Sequence, residues 1–425
     1  MMDKYIEILK SCGADAWEIT DTKTRGWEFY FIGRRLDQNR AKNVEHINLK
    51  VYKLSEDGKS LGIASAEVSP TESEEGIRAA AESLVYQASL VKNRPYKLNQ
   101  PQQVKLPDAE LNPLAAEAEG FIKTLQGIEE TETEYLNSFE IFVNRNEKRL
   151  VTSEGIDITQ SWPTAMIDLV VNARKDNHEI ELYRLYDLGS CEPDQIRQDI
   201  QELLQFGKDR LLAAGTPKLE NTPVVLSTDA AVYVYQYFLS QLNAAYLVRG
   251  VSSCEIGKPI AENIEGDRIT IKALRELPGS PCNYAYDEEG APIRDEILME
   301  ESVPKKFVGN RMFSQYIGLD DSFIVSNWSV SGGRKSADEL REGEFLEIVE
   351  FSDFQVDSMT GDIFGEIRLA YYHDTKGTVT PVSGGSVSGS MLDNIAHMQM
   401  SKETRRYSNA EIPSVTRLEN VVIAG

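Results

Sequence analysis

The sequence predicts an α+β protein: an N-terminal lobe of α/β layers followed by a C-terminal β-rich domain. Three observations lead there. Helical periodicity and period-2 alternation succeed one another through the first 215 residues. A stretch with four prolines and little periodicity, "KNRPYKLNQPQQVKLPDAELNP", interrupts them. The last 210 residues are richer in Gly and Ser and read mostly as strands. The expected organisation is an N-terminal α/β domain (1–95), a linker (96–113), a central β/α region packing with the first domain (114–215) and the β-rich domain (216–425).

"YIEILKSCGADAWEI" places Tyr5, Ile8, Leu9 and Cys12 on one face of a short helix, with Gly13 as its C-cap. "HINLKVYKLSEDGKSLGIASAEV" reads as a hairpin turning at Asp57-Gly58. The next helix is expected to start with Ser69 as N-cap, Pro70 at its first position and Glu72 completing a capping box. Its buried stripe is Ile77, Ala81, Leu84, Ala88 and Val91. Beyond the linker a helix is expected over roughly Leu114 to Glu129. "SFEIFVNRNEKRLVTSEG" looks like a hairpin, and "TAMIDLVVNARKDNHEIELYRLYDLG" like two strands. "CEPDQIRQDIQELLQFGKDRLLAAG" returns to helix, with Ile196, Ile200, Leu203 and Leu211 on one face and Gly215 ending it. In the last domain "EFLEIVEF", "GDIFGEIRLAYYH" and "SVTRLENVVIAG" are strand-like, and "PVSGGSVSGSMLDNIAHMQM" runs from a Gly/Ser loop into a short helix.

Composition narrows the function. With 45 basic against 68 acidic residues, net charge −23 and no basic stripe, nucleic acid is not expected as a direct partner. No apolar run is long enough for a membrane span, and the start lacks a basic, then apolar, leader pattern, so a soluble cytoplasmic protein is expected. Cys12, Cys191, Cys254 and Cys282 form no CxxC pair and read as isolated thiols. His46, His178, His373 and His397 are too scattered for a metal site except one assembled across the fold.

No single motif carries an activity. "VSGGSVSG", around Gly384, Gly385 and Gly389, lacks the spacing and lysine of a phosphate loop, as does "SVSGGRKS". "YDEEGAPIRDE" lacks alternating calcium ligands and reads as a solvated loop. "SDFQVDSMTGD" groups Asp353, Asp357 and Asp362 around Thr360-Gly361. A tight turn held by Asp and Thr side chains is favoured there, with a role in a cleft left open. "AAVYVYQYFLSQLNAAYLV", residues 230–248, follows the apolar run "TPVVLS" as a helix follows a strand, where sites are commonly built. Yet it contains no His, Cys, Asp or Glu.

The opening "ILKSCGADAWEI", then "SLGIASAEV" and "LVTSEGID", precede four longer stretches in the second half: "SNWSVSGG", "EFLEIVEFSDFQVDSMTGD", "GTVTPVSGGSVSGSMLDNIAHM" and "IPSVTRLENVVIAG". In this order and spacing they resemble the TldD/PmbA family, also called the modulator of DNA gyrase or peptidase U62 family, along nearly the full length. In that family, TldD-type chains carry HExxxH on the helix after a "VVL" strand, and with a Cys near the C-terminus bind a catalytic metal. TldE-type (PmbA) chains lack these ligands and pair with TldD as a heterodimeric metalloprotease. Counting without gaps from Val224-Val225-Leu226 puts Gln236, Tyr237 and Gln241 at the motif's His, Glu and His. Amide and phenol groups are poor substitutes for metal ligands and a general base. The segment "SKETRRYSNAEIPSV" contains no Cys either.

The resemblance therefore implies a TldE/PmbA-like chain with no catalytic or metal residues and no cofactor of its own, zinc being expected in a TldD-like partner. It implies an assembled dimer whose lobes enclose a cavity for an extended, unfolded peptide. The alternative is a free-standing homodimeric peptide-binding protein. Freed from ligand geometry, Ala231, Val234, Phe238, Leu242 and Ala245 are expected to form an ordinary buried face. Thr360, Gly361 and Asp362 are the candidate substrate-binding residues.

Overall fold

The computed structural model describes residues 2–104, 112–219 and 221–425. Residues 105–111 of the expected linker lie outside the described residues. The chain begins with α1 (Met2–Ser11), then β1 (Ala16–Ile32), β2 (Arg35–Leu54), β3 (Leu61–Val68) and α2 (Glu74–Leu90). After the irregular stretch come α3 (Leu114–Gln126), β4 (Glu134–Thr152), β5 (Asp157–Lys175), β6 (His178–Leu188) and α4 (Pro193–Leu212). The strands form one antiparallel sheet in the order β3-β2-β1-β4-β5-β6.

One face of this sheet is covered by helices in two cores. At one end Tyr5, Ile8 and Leu9 of α1 and Ile77, Ala81 and Leu84 of α2 pack on Ile19, Leu49 and Val51. At the other, Phe121 and Leu125 of α3 and Ile196, Ile200 and Leu203 of α4 pack on Phe139, Ile141, Ile167 and Leu169. The helix faces follow the apolar periodicity, and burial removes that surface from water.

Several boundaries differ from the sequence reading. Helix α2 starts four residues late: Ser73, not Ser69, is its N-cap, with Oγ accepting from the Gly76 amide at 3.1 Å. Ser69–Glu72 forms a preceding turn, in which the Glu72 carboxylate accepts from the Ser73 amide instead of closing a box on Ser69. Val91 is past the helix end and exposed. The expected hairpin at 138–155 is a continuous strand, since β4 is paired on both sides through Asn146 and Glu147. In α4 Leu204 and Phe206, not Leu211, complete the buried face.

The C-terminal half joins this lobe directly. β7 (Ala214–Gly215) pairs in parallel with Val382-Ser383, inside a sheet whose centre is β8 (Val224–Leu226), Phe345–Val356 and Asp362–His373. A second sheet is built around Thr270–Leu274, Asn327–Ser331 and Ala410–Pro413. The Gly/Ser segment expected as a loop is a strand, Ser386–Ser390, paired with both Asp362–Glu366 and Val421–Ala424. Among the described residues no helix is long and apolar enough to cross a membrane.

The second face of the N-terminal sheet meets the C-terminal half. The buried Gln160 side chain acts there as a piece of β-ladder: its Oε1 accepts from the amides of Ala285 (3.0 Å) and Tyr286 (3.1 Å), and its Nε2 donates to the Tyr286 carbonyl (2.9 Å). The stretch 94–104 crosses the same seam. The Asn99 amide donates to the Glu289 carbonyl, and the Tyr286 hydroxyl bonds the backbone of Gln102 and Val104. Tyr96 sits edge-on between Tyr52 and Tyr316.

Burial at this seam pushes the Glu289 carboxyl up to about 7, against the Arg311 amide that donates to it at 2.6 Å. Its folded pKa exceeds its ordinary value of 4.5, so the stability it confers is full below that pH and is lost as pH rises through about 7. Glu289→Gln keeps the acceptor and removes the titration. Urea unfolding at a series of pH values is expected to show a decline between pH 4.5 and 7 that is shallower in the variant by on the order of 1 kcal/mol per pH unit.

Candidate functional site

Helix α5 (Ala231–Gln241) follows β8 and touches a strand of each C-terminal sheet. The expected long helix breaks at Leu242: Asn243 is extended and caps α6 (Ala244–Val248) through the Ala245 amide at 2.9 Å. Ala231, Val234, Phe238 and Leu242 are buried as expected, whereas Ala244 replaces Ala245 because of this break. The break arises because the Ala244 amide bonds the Val308 carbonyl of a neighbouring segment.

The counted positions separate on this helix. Gln236 is exposed. Tyr237 is buried, edge-on to Phe238 at 5.5 Å, and its hydroxyl pKa is raised by burial and by Cys254. Gln241 is buried, its side-chain amide donating to the Ser358 carbonyl at 2.8 Å while its backbone carbonyl accepts from Ser252 Oγ at 2.7 Å. The Tyr246 hydroxyl bonds Ser358 Oγ at 2.7 Å, fixing the same turn from α6.

That turn, Asp357 to Asp362, contains the candidate residues. Asp357 Oδ1 accepts from the amides of Met359 (2.7 Å) and Thr360 (2.9 Å), and Thr360 Oγ1 donates to Asp362 Oδ2 (2.8 Å). Thr360 and Asp362 are exposed. Gly361 has φ +81°, and a Cβ there would lie 3.3 Å from both the Tyr237 ring and Met391 Cβ. The structure thus joins Tyr237, Gln241 and Gly361 in one packed unit, with Thr360 and Asp362 on its outer side and Gln236 apart.

A cleft of about 330 Å³ opens beside the first turn of α5, between the lobes. Its walls are the end of β6, one face of α4, residues 228–233 and the hairpin 405–409. Arginines join these walls. Arg184 of β6 pairs with Asp229 (3.1 Å) and with the buried Glu350; Arg405 pairs with Asp199 (2.7 Å) and Glu202 (3.0 Å); Arg406 pairs with Glu192. Burial pushes Glu350 up to about 7, with Arg184 opposing. Burial alone would lower Arg405, but Tyr407, Asp199 and Glu202 outweigh it and raise its pKa. Sequence reasoning missed this cleft. The Arg405-Arg406 pair is no signal for it, since Arg34-Arg35 and Lys305-Lys306 are similar basic pairs elsewhere in the chain.

Residues 219–425 match the family profile of the PmbA/TldA metallopeptidase C-terminal domain. The C-terminal half of the chain belongs to the TldD/PmbA family. A zinc metalloprotease TldD homolog of Saccharolobus solfataricus is 22% identical over 285 residues, which are 65% of this chain and 58% of that protein's length. Solved structures of TldD/PmbA type share the whole fold. TldE from Thermococcus kodakarensis superposes with a TM-score of 0.79 at 17% identity, with 100% of each chain covered. A Thermotoga maritima protein named for modulation of a DNA gyrase gives 0.76 at 17% identity, over 100% of this chain and 99% of that one. A Bacteroides thetaiotaomicron protein named likewise gives 0.75 at 15%, over 100% and 98%. At these identities the likeness shows the TldD/PmbA fold, as the sequence reading expected.

The residues present do not fit the catalytic metal that the family name implies. Of the three counted positions, one is exposed, one is a phenol packed on Gly361, and one is an amide already bonded to Ser358. Among the described residues no group of three or more His, Cys, Asp or Glu could hold a metal ion. Gly361→Ala should reveal how tightly this packed unit is set, because both the positive φ and the Tyr237 contact oppose a Cβ. A loss of about 1–3 kcal/mol in urea unfolding is expected, with Tyr237→Leu in the same background recovering part of it.

Proposed function

We propose that this chain is the metal-free, substrate-guiding subunit of a two-chain peptidase of the TldD/TldE type, acting on unfolded peptides beside the zinc of a TldD-like partner. The observation that carries this reading is α5. It follows β8 as the resemblance expects the family's metal-binding helix to follow its strand, and two of its counted positions, Tyr237 and Gln241, are engaged in packing and hydrogen bonding. The whole-chain likeness to TldE supports the same reading. Such a subunit contributes walls and backbone, which grip an extended peptide of almost any sequence.

Within this reading the outer side of the Asp357–Asp362 turn contacts substrate through Thr360 and Asp362, while Gly361, buried against Tyr237 and Met391, holds the turn in place. The Asp362 carboxylate bonds only to Thr360 Oγ1 among the described residues, so removing it has little structural consequence. Asp362→Ala is expected to slow peptide processing by the two-chain complex about tenfold while changing stability by less than about 0.5 kcal/mol. Normal processing at normal stability removes this assignment.

The decisive experiment is gentle affinity purification of the tagged chain from its native cells, with intact-complex mass and metal analysis. A one-to-one complex with an HExxxH-bearing homologue and one zinc per pair is the expected result. A metal-free homodimer overturns it in favour of a peptide-binding protein without a protease partner. Gln236→His, Tyr237→Glu and Gln241→His together are expected to give no zinc-dependent cleavage in this chain alone, because a third ligand is still lacking.

A further inference from the structure

The N-terminal sheet has two faces, and only one is covered along its whole length. Helices α1 to α4 lie on the first. On the second, the C-terminal half covers the end around Gln160 and Trp162, through the Gln160 bonds and a Trp162–Tyr284 ring contact at 5.2 Å. The other end, toward the turn between β1 and β2, is open among the described residues. Strand register sets Tyr30, Glu140, Asp168 and Leu185 in one row across it, and Arg40, Glu28, Phe142, Met166 and Asp187 in the next. Tyr30, Phe142 and Met166 are half-buried there, while Leu185 is 43% and the neighbouring Tyr183 57% exposed. Apolar side chains gathered on an uncovered face of this breadth mark an interaction surface.

The charges on this open end are sorted by strand. β2 supplies Arg40, which pairs with Glu28 and lies over the Tyr30 ring, and Lys42. β4, β5 and β6 supply Glu140, Asp168 and Asp187. Asp168 accepts from the Tyr183 hydroxyl at 2.9 Å, whereas the Glu140 and Asp187 carboxylates have no ion pair or hydrogen bond among the described residues. Burial raises the pKa of both, and Asp168 adds to the rise at Glu140. Shape adds a separate constraint. Aligned sheets pack face to face about 10 Å apart, less than the depth of a C-terminal half built from two sheets and seated on this same face. A second chain of this fold laid on the open end with its strands in the same direction would drive its own sheet into that half. It fits only inverted, about a two-fold axis perpendicular to the strands, and each strand then faces its own counterpart. For a second copy of this chain, Glu140, Asp168 and Asp187 would meet the same three carboxylates, a repulsion that disfavours the pair.

We propose that the open end of this face is the docking surface for a second, non-identical chain of the same fold, one that sets Lys or Arg side chains against Glu140, Asp168 and Asp187. The apolar rows supply the contact area, and the sorted charges exclude a second copy of this chain. This rests on the proposed function in taking the partner to share the fold.

The test is sedimentation velocity on the native full chain, on a charge-reversed variant (Lys42→Glu, Glu140→Lys, Asp168→Lys and Asp187→Lys) and on their equimolar mixture. Each alone is expected to sediment as a monomer. The mixture is expected to form a one-to-one complex at least about tenfold tighter than the self-association of either chain, and to weaken as salt is raised. Adding Met166→Glu to the native chain is expected to weaken the mixed complex about tenfold or more. Circular dichroism checks folding. Should the fourfold variant not fold, Glu140→Lys with Asp187→Lys replaces it under the same expectation, since neither carboxylate bonds another group among the described residues. A native chain that dimerises as tightly as the mixture, a mixture that stays monomeric, or a mixed complex indifferent to Met166→Glu overturns the proposal. These measurements use this chain alone. A monomeric mixture beside a native complex with an HExxxH homologue sinks only the docking surface, and a mixed complex without any such homologue in the cells sinks only the proposed function.

Discussion

The relation between the two halves depends on one buried amide. Gln160 accepts from two successive backbone amides and donates to a carbonyl of the 285–286 segment, so a side chain replaces a strand in continuing the sheet's hydrogen bonding into the other lobe. Each of these groups is buried, and leaving any one unpaired costs about 1–3 kcal/mol. The seam therefore has one favoured register. The stretch 94–104 reinforces it by bonding the same Tyr286 and Glu289 from outside. The segment that carries Tyr286 also reaches the cleft, where the Gly189 amide bonds the Gly279 carbonyl next to Glu192 and Arg406.

The arginine pairs in that cleft are the second join between lobes, and they differ in kind. Arg405 connects the C-terminal hairpin to Asp199 and Glu202 of α4, and Arg406 connects it to Glu192. Partly exposed pairs of this sort contribute little stability singly, because solvent screens them and side-chain entropy is lost. Their value here is geometric: they hold carboxylates at fixed places around an open space. A seam of satisfied amides and a cleft of shared charges are thus two different ways of joining the same two halves.

Much of the fold was legible where the signal is local. The apolar stripes of α1, α2 and α4 and the alternation of β5 and β6 lie within single elements, and the structure follows them closely. What was missed depends on neighbours. "NRNEK" has the composition of a turn, but pairing on both sides by β1 and β5 holds it extended. The Gly/Ser segment 386–390 is a strand because two others flank it, not because of its own propensity. Ser69 and Ser73 are both plausible caps in sequence, and the bond from Gly76 selects the second. The cleft could not be read at all, since β6, α4, the start of α5 and the 405–409 hairpin converge only in the folded chain.

The chemical silence of α5 was legible because it is a matter of which residues are absent from one helix, and the structure supplies its physical counterpart. A helix that must present two ligands five positions apart has to aim side chains about 140° apart on an ideal helix, toward one ion. Without that demand the same helix can turn Tyr237 inward onto Gly361 and tie Gln241 to Ser358. The Asp357–Asp362 turn is thereby fixed from behind by packing, with its polar side left toward solvent. The absence of ligand-type side chains on α5 thus goes together with ordinary core packing, which makes this helix a rigid support for the turn beside it.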